Sequence, residues 1–446
     1  MNDDSGFFFD LPSVRRKKVT ASFDGGRLSS NGGVLLLREV ERRLDLAGRL
    51  ASCMTDRRDG ARISHDLAEM LRTRMFLIAA GYEDGDDCDA MREDPAFKLA
   101  VGRLPESDAP LCSQPTMSRL ENAPRLSDLV RLSAALIDLF CASHAKAPAA
   151  ITLDIDDTFD EVHGRQQLSF FNAHYDGYGF QPVHIYEGAS GKPVAVILRP
   201  AKVPGGREVC RIIRTVVSRI RKHWPRTQIV MRGDSHYARP EAMDWCEDNG
   251  VSYIFGLAGN PALHELRRAE CDELCRRWDQ GAEDKLRRIS AFDYAAKSWT
   301  RTRRVVARME VTADGLDIRY IVTSLKGRPR HLYEDVYCAR GQAENWIKLH
   351  KSQLASDRTS CSSANANQFR LILNTGAYWL MHRLRAGIAK SHALATAEFT
   401  TLRLALIKVA ARIREGAGRI RVMFASACPH KTLIAKLATK LCPQGP

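Results

Sequence analysis

The hydrophobic pattern of this chain changes its period at Ala149, and that change limits the folds open to it. Before Ala149, apolar residues recur at spacings of three and four, which predicts helices over 33–54, 64–80, 87–101 and 126–144. From Ala149 onward the stretch AAITLDIDDT alternates apolar and acidic residues, as a strand with one buried face does. A helical N-terminal part is therefore expected to precede a part that contains a sheet.

Strands and helices follow one another after this point in the order of a mixed α/β layer. We predict two strands in HIYEG and KPVAVILRP, joined by a Ser-Gly turn, and a strand at 228–232 between helices at 208–223 and 240–249. VSYIFGL predicts another buried strand. Beyond it, ISAFDYAAKSW, RRVVARMEVTA and IRYIVTSL predict an antiparallel β-unit, and a helical pattern then continues almost to the C-terminus.

These changes predict an α/β fold with five regions. They are a helical N-terminal region, the first part of a mixed-sheet core, a β-rich unit, the remainder of the core with the Glu344 helix, and a helical C-terminal region, at residues 1–148, 149–261, 262–330, 331–390 and 391–446. Within the first region, residues 1 to about 30 are predicted to form an irregular arm.

Charge indicates a polyanionic partner. The formal net charge is +14, and basic residues recur over 15–18, 211–226, 301–304 and 383–421. Nucleic acid is favoured over a membrane, because there is no clean amphipathic anchor and no apolar run of bilayer-spanning length. A basic surface that serves only solubility is the alternative. The twelve cysteines include no CxxC pair, which favours reduced thiols in the cytoplasm over a zinc site.

Acidic residues on three separate elements form the candidate chemistry. Asp154 and Asp156 are two apart on a predicted strand and share a face, Asp234 follows an apolar strand, and Glu344 lies on a predicted helix. Such carboxylates can coordinate two Mg²⁺ ions roughly 4 Å apart for in-line attack on a phosphodiester. Alternatively, the aspartates cap a loop and a helix N-terminus.

Five residues are predicted to lie on one stripe of a helix. Tyr337, Arg340, Glu344, Lys348 and Lys351 are separated by three, four, four and three positions. Arg340 can hold a phosphate through two parallel hydrogen bonds, the lysines supply point charges, and Tyr337 can hydrogen-bond a phosphate or stack on a sugar or base. The alternative is a solvated helix crossed by salt bridges.

The spacing Y-x2-R-x3-E-x6-K resembles the signature of bacterial DDE insertion-sequence transposases with a ribonuclease-H-like core, and Tyr337, Arg340, Glu344 and Lys351 meet it in full. Further stretches resemble the insertion-sequence thirteen-eighty group, which carries the DDE transposase group one domain. They include SFDGGRLSSNGGVLLLREVERRL, AAGYEDGDDCDAMREDPAFKLAVGR, LDIDDTFDEVHGRQQLSFFNAHYDGY and MRGDSHYARPEAMDWCEDNGVSYIFGLAGN.

This resemblance implies that residues 1–148 form a DNA-end-binding domain, that 149–261 and 331–390 form a ribonuclease-H-like catalytic core, and that 262–330 form an insertion domain. It also implies which acids are catalytic and bind metal. The first Asp falls in LDIDDT, where the family's x-Thr context selects Asp156; Asp154 is the alternative, and Asp157 is a weaker one. The second and third acids fall on Asp234 and Glu344. The implied cofactors are two Mg²⁺ ions, with Mn²⁺ as a substitute.

The implied function is that of a transposase, which binds terminal inverted repeats and catalyses metal-dependent strand cleavage and strand transfer by a cut-and-paste route. Many relatives pass through a hairpin at the transposon end. The implied partners are double-stranded repeat and target DNA and a second copy in a synaptic dimer or higher assembly, in the bacterial cytoplasm at the nucleoid. The alternatives are a catalytically inert or domesticated DNA-binding relative and a ribonuclease-H-like nuclease.

Three further residues are candidate DNA contacts. Trp299 lies in the predicted insertion beside Arg301, and hairpin-forming relatives hold a flipped base against an aromatic ring. Arg119 lies on the short helix in SQPTMSRLEN among polar neighbours. Alternatively, Trp299 is a core residue, and the short helix with Arg119 is a turn that packs against other helices.

Overall fold

The computed structural model describes residues 9–281 and 284–442, and the chain divides into two compact units. The first unit comprises Met1–Ser52, Asp56–Glu121 and Gly376–Pro446. The second comprises Cys53–Thr55 and Asn122–Thr375.

The N-terminal part of the chain is mainly helical. Its elements are β1 (Phe9–Val14), β2 (Lys17–Ala21), β3 (Leu28–Ser29), α1 (Val34–Leu44), α2 (Leu46–Ser52), α3 (Leu67–Ala80), α4 (Asp87–Met91), α5 (Pro95–Val101) and α6 (Gln114–Asn122). Local chemistry accounts for the helix limits. The α5 helix begins where the Asp94 side chain accepts backbone N–H groups and Pro95 fills the first position, and it ends at Gly102, which takes a left-handed φ of 105°.

The predicted irregular arm is wrong over 9–21, where β1 and β2 pair as an antiparallel hairpin. Its turn places Arg15 at a φ of 56°, a conformation that Gly or Asn adopts more readily. The sequence therefore lacked the usual turn signal, although the β-branched Val14 and Val19 favour strands beside it.

The second unit contains the main sheet. Its strands are β4 (Ala150–Asp157), β5 (Asp160–Glu161), β6 (Phe170–Asn172), β7 (Gly177–Phe180), β8 (Val183–Glu187), β9 (Pro193–Ile197), β10 (Gln228–Gly233), β11 (Ser252–Leu257), β12 (Leu286–Tyr294), β13 (Arg303–Thr312) and β14 (Gly315–Thr323). Its helices are α7 (Leu126–Ala142), α8 (Gly206–His223), α9 (Pro240–Asp248), α10 (Pro261–Asp279) and α11 (Gly341–Lys351), with α12 (Ala364–Ala386) continuing into the first unit.

Eight strands form one mixed sheet in the order β12-β13-β14-β11-β10-β4-β8-β9. Strand β10 runs parallel to both β4 and β11, whereas β8 and β9 form an antiparallel hairpin beside β4. Helix α11 packs against β4 and β8.

The mixed α/β prediction is confirmed, and β4, which carries the LDIDD stretch, lies inside the sheet. Strands β12 to β14 extend this same sheet, since β14 pairs with β11. The five-region division stays a prediction.

The C-terminal part of the chain mixes helices with a hairpin. After α12 come α13 (Phe399–Leu402), β15 (Ala411–Gly416), β16 (Arg419–Phe424) and α14 (Lys431–Leu441). The helical prediction for 391–446 is therefore wrong over 411–424, where β15 pairs with β16 and with β3. Alternation buries Ala411 and Ile413 and exposes the arginines between and after them, a period that the preceding helical pattern masked. Within the described ranges, no helix is both long and apolar enough to cross a membrane.

A buried ion pair joins β4 to β10. The two oxygens of Asp154 accept from Nε and Nη2 of Arg232 at 2.5 and 2.8 Å, and Nη1 of Arg232 donates to the carbonyl of Val336 at 2.6 Å. Asp154 is 0% exposed. Each partner compensates a charge that the interior would otherwise not tolerate.

We expect Arg232→Met to lower the free energy of unfolding by about 3–5 kcal/mol, because it leaves the Asp154 carboxylate buried without a partner. Urea unfolding measures this loss. The double variant Asp154→Leu/Arg232→Met is the matched control and should recover most of the stability, since neither charge remains. Equal losses in the single and double variants would show that the ion pair is not the cause.

Candidate active site

Asp156 and Asp234 come together at the carboxyl ends of two parallel strands. Gly233 of β10 is in register with Ile155 of β4, so the next residue along each strand is one of these acids. Burial raises the pKa of Asp156 to about 7, and the nearby carboxylates of Asp234 and Asp157 add to this rise. Burial also raises the pKa of Asp234. The carboxylates of this pair therefore lie in a setting that disfavours two negative charges.

Arg340 links this pair to the third predicted acid. Its Nη1 donates to Oδ2 of Asp156 at 2.8 Å, and its Nη2 donates to Oε1 of Glu344 at 3.3 Å. Burial opposes the positive charge of Arg340, but Asp156, Asp234 and Glu344 outweigh that effect and raise its pKa. A guanidinium thus supplies the cation among the three acids, and the side chain of Glu344 is 66% exposed.

The donor set fits a divalent cation at the aspartate pair. Carboxylate oxygens are the ligands that Mg²⁺ prefers, and the raised pKa values mark charge that a dication would offset. Among residues 9–281 and 284–442, no group of three or more His, Cys, Asp or Glu side chains is arranged to hold a metal ion. Coordination of two metal ions by Asp156, Asp234 and Glu344 together stays a prediction.

The geometry distinguishes between the neighbouring aspartates of β4. Both oxygens of Asp154 are bound to Arg232, which leaves that carboxylate fully enclosed. Asp156, by contrast, lies beside Asp234 and contacts Arg340. This arrangement favours Asp156 over Asp154 as the first acid of the site.

Asp157 orders the turn that follows β10. It accepts from Oη of Tyr237 at 3.0 Å and from Nε2 of Gln181 at 2.6 Å, and Nδ1 of His236 lies 3.3 Å from it. Burial raises the pKa of Asp157, but these hydrogen bonds outweigh burial and lower it. The hydrogen bond between Asp157 and His236 also raises the pKa of His236. The backbone N–H of His236 also donates to Oδ1 of Asp234 at 2.9 Å.

Sequence reasoning did not assign His236, Tyr237 or Gln181 to the site. Their role depends on Asp157, which lies far from all three along the chain. The available signal was local: His236 and Tyr237 lie two and three residues after Asp234, in a turn.

The predicted helix is not a regular α-helix in its first part, and the placement of all five residues on one stripe stays a prediction. A π-helical turn spans His331–Tyr337, a 3-10 turn spans Cys338–Arg340, and α11 begins only at Gly341. The hydroxyl of Tyr337 lies against β11, since a Cβ at Gly256 would come within 2.7 Å of it. Burial raises the pKa of Tyr337. Single π-helical turns often occur at functional sites.

The two lysines of the stripe differ in setting. Nζ of Lys351 donates to the carbonyl of Phe159, lies 3.4 Å from Oγ1 of Thr158 and is 3.3 Å from Oδ1 of Asp160. It therefore anchors the segment that leaves β4. Lys348 is exposed on α11.

The remaining candidates lie on other elements. Trp299, between β12 and β13, contacts Tyr294 edge-on with 5.4 Å between ring centroids, and the Arg303 guanidinium lies 5.3 Å from its ring. Arg301 forms ion pairs with carboxylates of α9, the shortest at 3.1 Å to Asp248. Arg119 is exposed on α6, in the first unit.

Comparison with known proteins gives a matching family and several similar solved structures, one of which is described below. The family described as transposase DDE domain group 1 matches residues 11–445. The cryo-EM structure of a piggyBac transposase synaptic complex with hairpin DNA is 11% identical in sequence with a TM-score of 0.41, over 84% of this chain and 79% of that chain. No curated protein sequence gives a significant match.

Stability in a metal chelator is expected to depend on pH through Asp156. Folding raises the pKa of Asp156 from 3.8 to about 7. The stability that its protonated form contributes is therefore complete below pH 3.8 and is lost as pH rises through about 7. Asp156→Asn should reduce this loss in the free energy of unfolding by about 2–4 kcal/mol.

Urea unfolding at about pH 4 and about pH 8 measures this difference for the wild type and the variant. The variant also controls for the other buried acids, because Asp160 and Asp234 titrate in both proteins. Parallel losses of stability in the two proteins would contradict the assignment.

Proposed function

The chain belongs to the transposase DDE domain group 1 family, and from this membership we propose that it is the transposase of a bacterial insertion sequence. It binds terminal inverted repeats and catalyses metal-dependent DNA cleavage and strand transfer. The observation that carries the proposal is the meeting of Asp156 and Asp234 at the ends of β4 and β10, with Arg340 joining Asp156 to Glu344.

We assign the chemistry to Asp156, Asp234 and Glu344 as ligands of two Mg²⁺ ions, with Mn²⁺ as a substitute. When bound, such ions activate the attacking water or 3′-hydroxyl and steady the leaving oxygen in an in-line displacement. The mixed sheet, with an acidic strand at its interior between an antiparallel hairpin and parallel strands, supports the proposal of a ribonuclease-H-like core.

The chain's own groups prepare this site before substrate arrives. Asp157 fixes the turn after β10 through Tyr237 and His236, and that turn orients Asp234 through the His236 N–H. The guanidinium of Arg340 offsets part of the negative charge of Asp156 and Glu344. A DNA phosphate accepts hydrogen bonds from a guanidinium as these carboxylates do, so it can replace them on Arg340. Binding of the phosphate to Arg340 then places the DNA beside the acids.

DNA contacts are proposed on both units. In the second unit, Tyr337, Arg340, Lys348, Lys351, Trp299 and Arg301 are the candidates. Arg119 is the candidate in the first unit, where it contacts bases or phosphates of the terminal inverted repeat. A homodimer or higher assembly joins two transposon ends, and a hairpin at each end is the proposed intermediate of an element of the insertion-sequence thirteen-eighty group, acting in the bacterial cytoplasm at the nucleoid.

We expect Asp156→Asn, Asp234→Asn and Glu344→Gln each to lower the rate of DNA cleavage by more than about 100-fold while leaving DNA affinity nearly unchanged, because each removes a metal ligand without changing side-chain volume. The substrates are DNA ends made from the inverted repeats that flank the gene, with Mg²⁺ present. Gel analysis resolves nicked, hairpin and transferred strands.

Asp335→Asn is the matched control, since this exposed acid lies in the π-helical turn before the site and pairs with His331. It should cleave at the wild-type rate. Cleavage by the three variants at that same rate would remove the assignment, and binding without any cleavage by the wild type would favour an inert DNA-binding relative.

Affinity for repeat DNA is expected to fall steeply with salt, because basic side chains release counterions from phosphates. Six or more phosphate contacts predict a loss of about 1,000-fold between about 50 and about 200 mM salt. Lys348→Ala should reduce the slope of log affinity against log salt by about one. Fluorescence anisotropy titrations measure both slopes, and a flat response of the wild type would oppose the proposal.

A further inference from the structure

The segment that follows β4 forms a small sheet with exposed aromatic rings. Strands β5, β7 and β6 pair in that order between residues 160 and 180. Four aromatic side chains on or beside these strands are 44–58% exposed: Phe170, Phe171, Tyr175 and Tyr178. We refer to these strands and the rings on them as the aromatic sheet.

The rings of the aromatic sheet are ordered against one another. Phe159 and Tyr175 stack with 4.4 Å between centroids and planes 7° apart, and Phe171 meets Tyr178 edge-on across the β6–β7 pair at 5.4 Å. Glycine makes the first stack possible, because a Cβ at Gly179 would come within 2.6 Å of the Phe159 ring. The exposed rings are therefore held in place by their aromatic neighbours.

Hydrogen bonds fix the aromatic sheet to the second unit. Lys351 holds the backbone at Phe159, the N–H of Gln167 donates to the carbonyl of Ser362 at 2.9 Å, and Nδ2 of Asn367 donates to Oε1 of Gln166 at 2.9 Å. Exposure of the rings is thus a property of an anchored element. Anchored apolar surface in contact with water commonly marks a binding site.

Charge and position indicate the ligand. The ammonium of Lys202 lies 5.8 Å from the centroid of the Phe170 ring, and Arg165 is exposed on the loop between β5 and β6. The stacked Phe159 is only two residues beyond Asp157, so the aromatic sheet continues directly from the acidic strand. Aromatic faces beside cations are the chemistry that binds unpaired nucleobases, whereas bases within a duplex have their faces covered.

We propose that the aromatic sheet stacks unpaired bases of a DNA strand that passes the Asp156–Asp234 site. The proposal rests on the proposed function and adds a substrate property, namely that the DNA is locally single-stranded there. Tyr175 and Tyr178 supply the most exposed tyrosine rings, and Lys202 supplies a phosphate contact.

The test compares Tyr175→Ala/Tyr178→Ala with the wild type by fluorescence anisotropy in a metal chelator. The probes are a labelled single-stranded oligonucleotide and the fully paired duplex of the same sequence. Because stacking contributes per base, single-strand affinity should fall about 5- to 100-fold, and duplex affinity should change by less than about twofold. Thermal unfolding confirms that the variant is folded, and Tyr178→Ala alone replaces it if it is not.

Two controls separate stacking from other effects. Tyr175→Phe/Tyr178→Phe keeps the rings and should retain single-strand affinity. Phe23→Ala removes a ring that is 81% exposed in the first unit and should also leave it unchanged.

The outcomes distinguish this inference from the proposed function. Unchanged single-strand binding, or equal loss on both probes, overturns the inference even if the wild type cleaves DNA. Loss of self-association in sedimentation, with single-strand binding intact, would make the surface a contact between copies and also overturns it. Failure of the wild type to bind either probe would overturn the proposed function as well.

Discussion

The parallel pairing of β4 with β10 is the constraint on which the candidate site depends. Backbone hydrogen bonds set the register, and the buried Asp154–Arg232 pair reinforces it one residue before the strands reach Ile155 and Gly233. That register places Asp156 beside Asp234, although repulsion between their carboxylates and burial both oppose the arrangement. The sheet therefore holds together two acids that would separate in an unfolded chain.

Arg340 shows how the fold accommodates this charge. Its guanidinium contacts Asp156 and Glu344, and Asp234 also raises its pKa, while His236 lies 3.8 Å from the Asp234 carboxylate. The segment before α11 passes through a π-helical turn and a 3-10 turn, which contain Tyr337 and Arg340. The hydroxyl of Tyr337 lies against Gly256 of β11. Two of the four residues of the Tyr–Arg–Glu–Lys motif therefore lie on irregular backbone.

Residues of the same type on the same element have different roles because their surroundings differ. Asp154 and Asp156 lie on the same strand, yet the first is enclosed by Arg232 and the second faces the acid of the neighbouring strand. Lys348 and Lys351 both lie on α11, yet Lys348 is exposed, whereas Lys351 binds the segment that leaves β4. That contact joins the acidic site to the aromatic sheet, because the carbonyl that Lys351 binds belongs to Phe159.

Local periodicity in the sequence determined most elements of the mixed layer, including β4, β8, β9, α8, β10, α9 and β11, because burial imposes a two-residue period on strands and a 3.6-residue period on helices. It also supplied the acids, since residue type and spacing are properties of the chain itself. It failed at the β1–β2 and β15–β16 hairpins, where Arg15 replaced the usual turn residue and an earlier helical pattern hid the alternation.

The Arg340–Glu344 contact spans four residues and follows from the sequence spacing, but tertiary structure alone decided the distant partners of these charges. Arg232 enclosing Asp154, Arg340 binding Asp156, and Asp157 holding the turn after Asp234 all connect residues far apart in the chain. No periodic pattern encodes such contacts, because they depend on strand register and on the path of irregular turns. The sequence by itself thus determined which chemical groups are present, and the pairing of β4 with β10 decided which of them meet.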